Sequence, residues 1–247
     1  MGDLVERYLE LGLRLGKHDE ELVDSYYGPA EIEERVEAEG PRDPAELAHD
    51  ADELLDGLSD SWLAAQVRSL GTTARKHAGE QLSYAEEGAL VYGIELRWHD
   101  EAAFARGAAL MNEALPGTGD VRARYAQWLE DTAIPAEILE PLRDTAAELR
   151  RLTRERVGLP DGEGYQLELV AGERWLGYAK YQGGLQTAIF VNTDLPLPAA
   201  MLVHLTSHEI YGGHHTHRVW QEVELVRARG QIERSLDLLW SPEAVIG

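Results

Sequence analysis

The sequence predicts a mainly α-helical protein, a multi-helix array with a small antiparallel β-sheet inserted just before a helix that carries a histidine-rich motif. Three observations carry this reading. Amphipathic stripes at helical spacing recur through the first 158 residues, with capping residues and prolines where helices should begin. Between Tyr165 and Val191 apolar and polar residues instead alternate, the pattern of half-buried strands. Five of the nine histidines then fall between His204 and His217, directly after the apolar run Leu197 to Val203.

In chain order, Leu4, Val5, Tyr8, Leu11 and Leu15 form one stripe and predict a helix over residues 3–16. A short segment from Asp19 to Tyr26 follows and is closed by Tyr27-Gly28-Pro29. Pro29 and Pro44 sit where first-turn prolines open helices, running to about Ala38 and Leu58. Ser61 to Ala78 reads as the next helix, with Trp62, Leu63, Val67 and Leu70 inward and Gly71 weakening its middle. Ser83-Tyr84-Ala85-Glu86 has the pattern of a capping box and predicts a helix through Leu96. Asp100 can cap another, whose stripe is Ala103, Phe104, Ala108 and Met111. The turn cluster Leu115-Pro-Gly-Thr-Gly119 leads into a helix with Val121, Tyr125 and Leu129 inward. A long helix from Pro135 to Val157, broken or bent near Pro141, completes about eight with short connections.

The pattern changes at Leu159-Pro-Asp-Gly-Glu-Gly164. Strands are predicted over Tyr165–Val170, Trp175–Tyr181 and Leu185–Val191, with a turn at Gly183-Gly184. Pro198 opens the motif helix, and Arg218 to Trp240 reads as a long helix burying Val219, Val223, Val226, Ile232, Leu236 and Leu239. Residues 1–158 are thus a helical part and 159–247 the sheet with the motif helices, together one continuous domain.

Composition narrows the function. The formal charge of −22 argues against nucleic acid and anionic membranes as partners, because both are held by clustered Lys and Arg, and the only lysines are Lys17, Lys76 and Lys180. There is no cysteine, so thiolate metal sites and cysteine nucleophiles are excluded and any metal must be held by His, Asp and Glu. No apolar run approaches about 20 residues and the first residues lack a basic-then-apolar leader, so a cytoplasmic location is expected.

The densest chemistry is Ser207-His208-Glu209-Ile210-Tyr211-Gly212-Gly213-His214-His215. A zinc hydrolase needs two neutral imidazoles on one ion, a further ligand, an open position for water and a carboxylate to take that water's proton. His-Glu-x-x-His meets this on one helical face, but here the second histidine comes six or seven residues after His208. On an unbroken helix a separation of six turns the residue about 240° away, and seven separates the two by about 10 Å. Either ligand set demands a bulge or break, for which Gly212-Gly213 supplies permissive backbone. The helix should therefore lose its regular hydrogen bonding near Tyr211 to Gly213. A rival pair, His204 and His208, has the i, i+4 spacing outright but no Glu directly after its first histidine. The plainest alternative is that these histidines are hydrogen-bonded residues at a helix end.

His208-Glu-Ile-Tyr-Gly-Gly-His-His215 resembles the His-Glu-x-Tyr-Pro-Gly-His-His signature of the bacterial family of unknown function called DUF885, whose members are regarded as relatives of the largely helical gluzincin peptidases. The likeness extends to Leu115–Gly119 with Arg124-Tyr125, to Tyr178–Tyr181, to Asn192-Thr-Asp-Leu-Pro196, and to Leu11–Pro29 in one subgroup. The resemblance implies a zincin-like α+β fold, zinc as cofactor, His208 as a ligand, one of His214 and His215 as the second, and Glu209 as general base. It implies a zinc-dependent hydrolase of the metallopeptidase type, acting on a peptide or other small carbonyl substrate. By analogy with zincins, Leu185–Val191 would be an edge strand lying along the substrate backbone, with Tyr178 and Tyr181 able to reach a developing oxyanion. Two departures stand out: Gly212 replaces the usual proline, and the family's third ligand, a Glu-Gly motif after a segment like Ser241-Pro242, is expected beyond Gly247. Glu222, Glu224, Glu233 and Glu243 are the substitutes within the chain. A C-terminally truncated relative would expose an apolar face and favour a homodimer. The alternative function is accordingly an inactive relative serving as a helical binding module.

Overall fold

The computed structural model describes residues 2–59, 61–135 and 140–245. In chain order these form α1 (Gly2–Gly16), β1 (Val23–Tyr26), α2 (Ala30–Ala38), α3 (Pro44–Asp56), α4 (Trp62–His77), α5 (Tyr84–Val91), α6 (Glu101–Ala114), α7 (Val121–Thr132) and α8 (Glu140–Arg156). Then come β2 (Gly164–Val170), β3 (Gly177–Gly183), β4 (Gln186–Asn192), α9 (Leu202–Glu209), α10 (His214–Gln221) and β5 (Leu236–Leu238). The protein is mainly helical with small sheets, as the sequence predicts. No helix among the described residues is long and apolar enough to cross a membrane.

The two predicted caps close their helices: Asp100 accepts from a first-turn backbone N–H, and Ser83 and Glu86 form the reciprocal capping box. Asp43, Ser61 and Asp120, not assigned as caps from the sequence, cap α3, α4 and α7 in the same way. Pro141 occupies the first turn of α8, where its missing N–H breaks no helical bond. Residues 136–139 of the predicted longer helix lie outside the described residues.

Three elements depart from the sequence reading. α5 ends at Val91, not Leu96: Gly93 takes φ +69°, and the Leu96 side chain folds back onto Gly88, where a Cβ would lie 2.7 Å from it. The long helix expected after the motif ends early. α10 passes into a π-helical turn at Glu222–Arg227, Gly230 takes φ +65°, and the chain continues as a short 3₁₀ turn and then β5. Leu236 and Leu238, read as helix-face residues, are instead strand residues buried in a core. Finally, the three-stranded sheet has the order β2-β4-β3. β4 is therefore central, its ladder is satisfied on both sides, and the edge role expected of Leu185–Val191 is a correction; β2 and β3 are the edges.

The chain divides into two compact units that do not follow the 158/159 boundary. The first is assembled from residues 1–96, 180–186 and 218–247, the second from 97–179 and 187–217.

In the first unit α1, α3, α4 and β5 close on a core that includes Tyr8, Leu9, Leu47, Leu54, Leu70 and Leu236. Each fully buried leucine contributes roughly 1.5–3 kcal/mol. Gly71, which the sequence reads as weakening α4, lies against α3: a Cβ there would lie 2.9 Å from that of Ala51. β1 pairs antiparallel with β5, and the register shifts between Val23 and Ser25, so Asp24 is the extra residue of a bulge.

That bulge has a pH consequence. Asp24 hydrogen-bonds Asp237, which is buried and paired with Arg218. Burial pushes the Asp237 carboxyl up to about 7; Arg218 opposes this, while Asp24 and Glu243 add to it. The unfolded carboxyl ionises near 3.8, so between the two values the native chain binds the extra proton and stability falls as pH rises. The expected loss is on the order of 4 kcal/mol, complete about one unit above neutrality. Melting temperatures from about pH 5 to about pH 8 should fall more steeply in the wild type than in Asp24→Asn, which keeps a hydrogen-bonding side chain without the second charge. Parallel curves would exclude Asp24 as a contributor and leave burial as the cause.

In the second unit α8 packs against α9, and the sheet contributes Ile189 and Val191 from β4 to cores shared with Leu142, Ala146, Leu205, Ile210 and Tyr211. The stripes of α6 and α7 do not point into a core. Neither helix has a buried residue, and Phe104, Met111 and Tyr125, expected inward, are exposed.

Candidate metal centre

The motif begins on α9 and ends on α10, with an elbow between them. α9 keeps its helical bonds to Ile210, whose N–H reaches the Thr206 carbonyl at 3.0 Å, and then breaks. Ile210 leaves helical geometry at φ −118°, ψ −93°, and Gly212 takes φ +102°. Gly213 is pressed so close to the end of α9 that a Cβ there would lie 1.8 Å from the His208 carbonyl oxygen. Helix resumes at His214. Thr216 stitches the elbow from inside, its hydroxyl accepting from the Gly212 N–H at 2.9 Å and donating to the Ile210 carbonyl at 3.2 Å. The loss of regular hydrogen bonding predicted near Tyr211 to Gly213 is thus present.

The elbow does what the spacing argument required. His208, Glu209 and His214 bring one ligand atom each to within 4.8 Å of one another, and the His208 and His214 rings meet edge-on with centroids 4.7 Å apart. Donors on a tetrahedral zinc at 2.0–2.2 Å lie about 3.4 Å apart, so side-chain adjustments of up to about 1.5 Å let this set close on an ion. Two imidazoles and a carboxylate are a donor set suited to zinc, and exposed His208 leaves the approach open to solvent. The residues present fit the metal. The rival pair, His204 and His208, lies with ring centroids 6.0 Å apart, and His204 is not part of the group.

His215 does not join it. Its ring is fully buried, with Nδ1 2.7 Å from Thr187 Oγ1 and Nε2 3.1 Å from Glu163 Oε2. Burial lowers its pKa, against the opposing pull of Glu163, and so favours the neutral ring. A neutral ring donates from one nitrogen only. With a carboxylate at Nε2 that nitrogen carries the proton, and Nδ1 accepts from the Thr187 hydroxyl. Both nitrogens are spent, and the ligand role expected as an option for His215 is corrected to a structural one.

Glu209 is buried beside β3. A Cβ on Gly177 would sit 3.2 Å from its Oε1 and 2.6 Å from a methyl of Leu205, so the missing side chain at 177 leaves room for the carboxylate. The substitutes considered for a third ligand have other employment in the first unit. Glu222 is buried against the Tyr181 hydroxyl and Arg227, and Glu243 accepts from Trp62 Nε1 at 3.1 Å. Glu224 is exposed and Glu233 half-buried. Tyr181, weighed as an oxyanion donor, is committed to Glu222, with burial and that hydrogen bond both pushing its phenol up. Tyr178 lies half-buried between the rings of Trp175 and Phe190.

One group had no signal in the sequence. Glu163, in what reads as an ordinary Asp-Gly-Glu-Gly turn, has a fully buried side chain. Burial works to raise its pKa, but hydrogen bonds from Arg150, His215 and Tyr211 win and hold it below the usual carboxylate range.

No protein-family model, curated protein or solved structure matches this chain. Gly212, at φ +102° and donating to Thr216, holds a conformation closed to proline, which is locked near φ −65° and has no N–H.

Proposed function

We propose that the chain is a zinc-dependent hydrolase of the metallopeptidase type, related to DUF885, with its centre at the α9–α10 elbow. The observation that carries this is the convergence of His208, Glu209 and His214 from a sequence spacing that no straight helix could bring together. His208 and His214 would hold the ion, and Glu209, the third member of the group, is assigned to the water and not to the metal. When bound, zinc supplies Lewis-acid polarisation of a substrate carbonyl and brings the pKa of water to about 7. Glu209 takes the proton of the attacking water and passes it to the leaving group, a role suited to a carboxylate held in a buried position beside the donor pair. The sheet edge next to Glu209 is β3, whose residues Gly177–Ala179 offer extended backbone along which a peptide-like substrate can lie. The acidic charge disfavours polyanionic substrates.

Zinc titration of the metal-stripped protein, with elemental analysis after dialysis, tests the reading. About one zinc per chain is expected for the wild type and for His204→Ala, with binding weakened at least about 100-fold in His208→Ala and His214→Ala. Zinc that survives both His208→Ala and His214→Ala lies elsewhere. A wild type that retains none leaves a helical binding module as the better description.

A further inference from the structure

Glycines at 212 and 213 allow the elbow but cannot hold its angle, because a residue without a side chain restrains little. Thr216 closes the turn's own backbone, and the restraint that reaches outside the motif comes from two side chains, one on either side of the glycine pair. Tyr211, just before it, donates its hydroxyl to Glu163 Oε2 at 3.0 Å, and His215, just after it, reaches the same oxygen at 3.1 Å. The other oxygen, Oε1, is clamped by Arg150 of α8, through Nε at 2.8 Å and Nη2 at 2.6 Å. Thr187 on β4 fixes the His215 ring from its far nitrogen. One buried carboxylate therefore ties both arms of the elbow to one point and anchors that point to a helix outside the motif.

We propose that Glu163 is a positioning residue of the metal centre, its carboxylate setting the angle between α9 and α10 and so the separation of His208 from His214. The inference rests on the metal-centre reading and extends it to groups outside the donor set. The lever is short. His214 and His215 are consecutive on α10, about 100° apart around its axis, so seating His215 against Glu163 and Thr187 dictates where His214 points. Tyr211 lies two residues after Glu209 and three after His208, so the same carboxylate also fixes the end of α9. Release of the strap leaves both ligands in place chemically but lets the Gly212-Gly213 hinge open.

The test is metal affinity of the whole chain, measured with zinc and with cobalt(II) in competition with a chromogenic chelator, alongside circular dichroism and melting temperature. Glu163→Ala is expected to weaken zinc binding about 10- to 100-fold, the range found for outer-shell partners of metal ligands, and to alter the cobalt absorption bands that report ligand geometry. Tyr211→Phe is isosteric and removes a single strand of the strap. It should show the same change of the cobalt bands in smaller degree at a melting temperature close to wild type, and it decides the matter if Glu163→Ala does not fold. Wild-type affinity and an unchanged cobalt spectrum in Tyr211→Phe and in folded Glu163→Ala would overturn the positioning role while leaving the metal centre intact. A wild type that binds neither ion overturns the metal centre itself.

Discussion

Gly213→Ala is expected to unfold the elbow and separate His208 and Glu209 from His214. The added Cβ would fall 1.8 Å from the His208 carbonyl oxygen, 2.4 Å from the His208 carbonyl carbon and 2.4 Å from the Ser207 carbonyl oxygen. All three are backbone atoms, so no rotamer change relieves the clash, and the end of α9 must move away from the start of α10. We expect a loss of more than about 4 kcal/mol, in the range reserved for gross steric or burial faults. Gly212→Ala is the control. Its nearest neighbour would be the Ser207 carbonyl oxygen at 4.0 Å, so it meets open space and suffers only from φ +102°. The strain of a side chain in that region is about 1–3 kcal/mol. Thermal melts of the two variants should therefore differ widely, with zinc affinity collapsing in the first and declining in the second. A Gly213→Ala protein that melts like the wild type would mean that the two helices do not meet as described.

Glu209→Gln is expected to remove hydrolysis and spare zinc. The amide is isosteric with the carboxylate and fits the space left by Gly177, but it cannot take a proton from water. General-base catalysis contributes about 10²–10⁴-fold, so turnover of a peptide or ester library should fall by at least that factor, with zinc stoichiometry unchanged. The same variant separates two roles for one residue. If zinc is lost together with activity, Glu209 is a ligand and the base must be sought elsewhere; if both survive, the group is not the catalytic carboxylate.

Much of the helical framework was legible because helix signals are local. The stripe of α1, the caps at Ser83 and Asp100, and the first-turn Pro44 each act within one or two turns of the residues they organise. The errors arose where an apolar residue had more than one way to be buried. Leu96 continues an apparent helix in sequence but folds back onto Gly88. Leu236 and Leu238 fit either a helix face or a strand, and pairing with β1, more than two hundred residues earlier, selects the strand. The stripe of α6 was real as a pattern, yet nothing in it is buried, since amphipathicity does not say what a face meets.

The motif divides the same way. That His208 and His214 could share an ion only across a break, and that Gly212-Gly213 could supply it, followed from helix geometry applied to residue spacing alone. Which of two adjacent histidines joins the donor set did not. That choice depends on Thr187 and Glu163, 28 and 52 residues before His215, whose side chains capture both of its ring nitrogens. Spacing along a helix is a property of the chain, so the sequence by itself determined that an elbow was needed. Capture of His215 by a buried carboxylate joins distant segments, and only the tertiary structure, by burying Glu163 between α8 and the motif, decided that His214 is the one turned toward the centre.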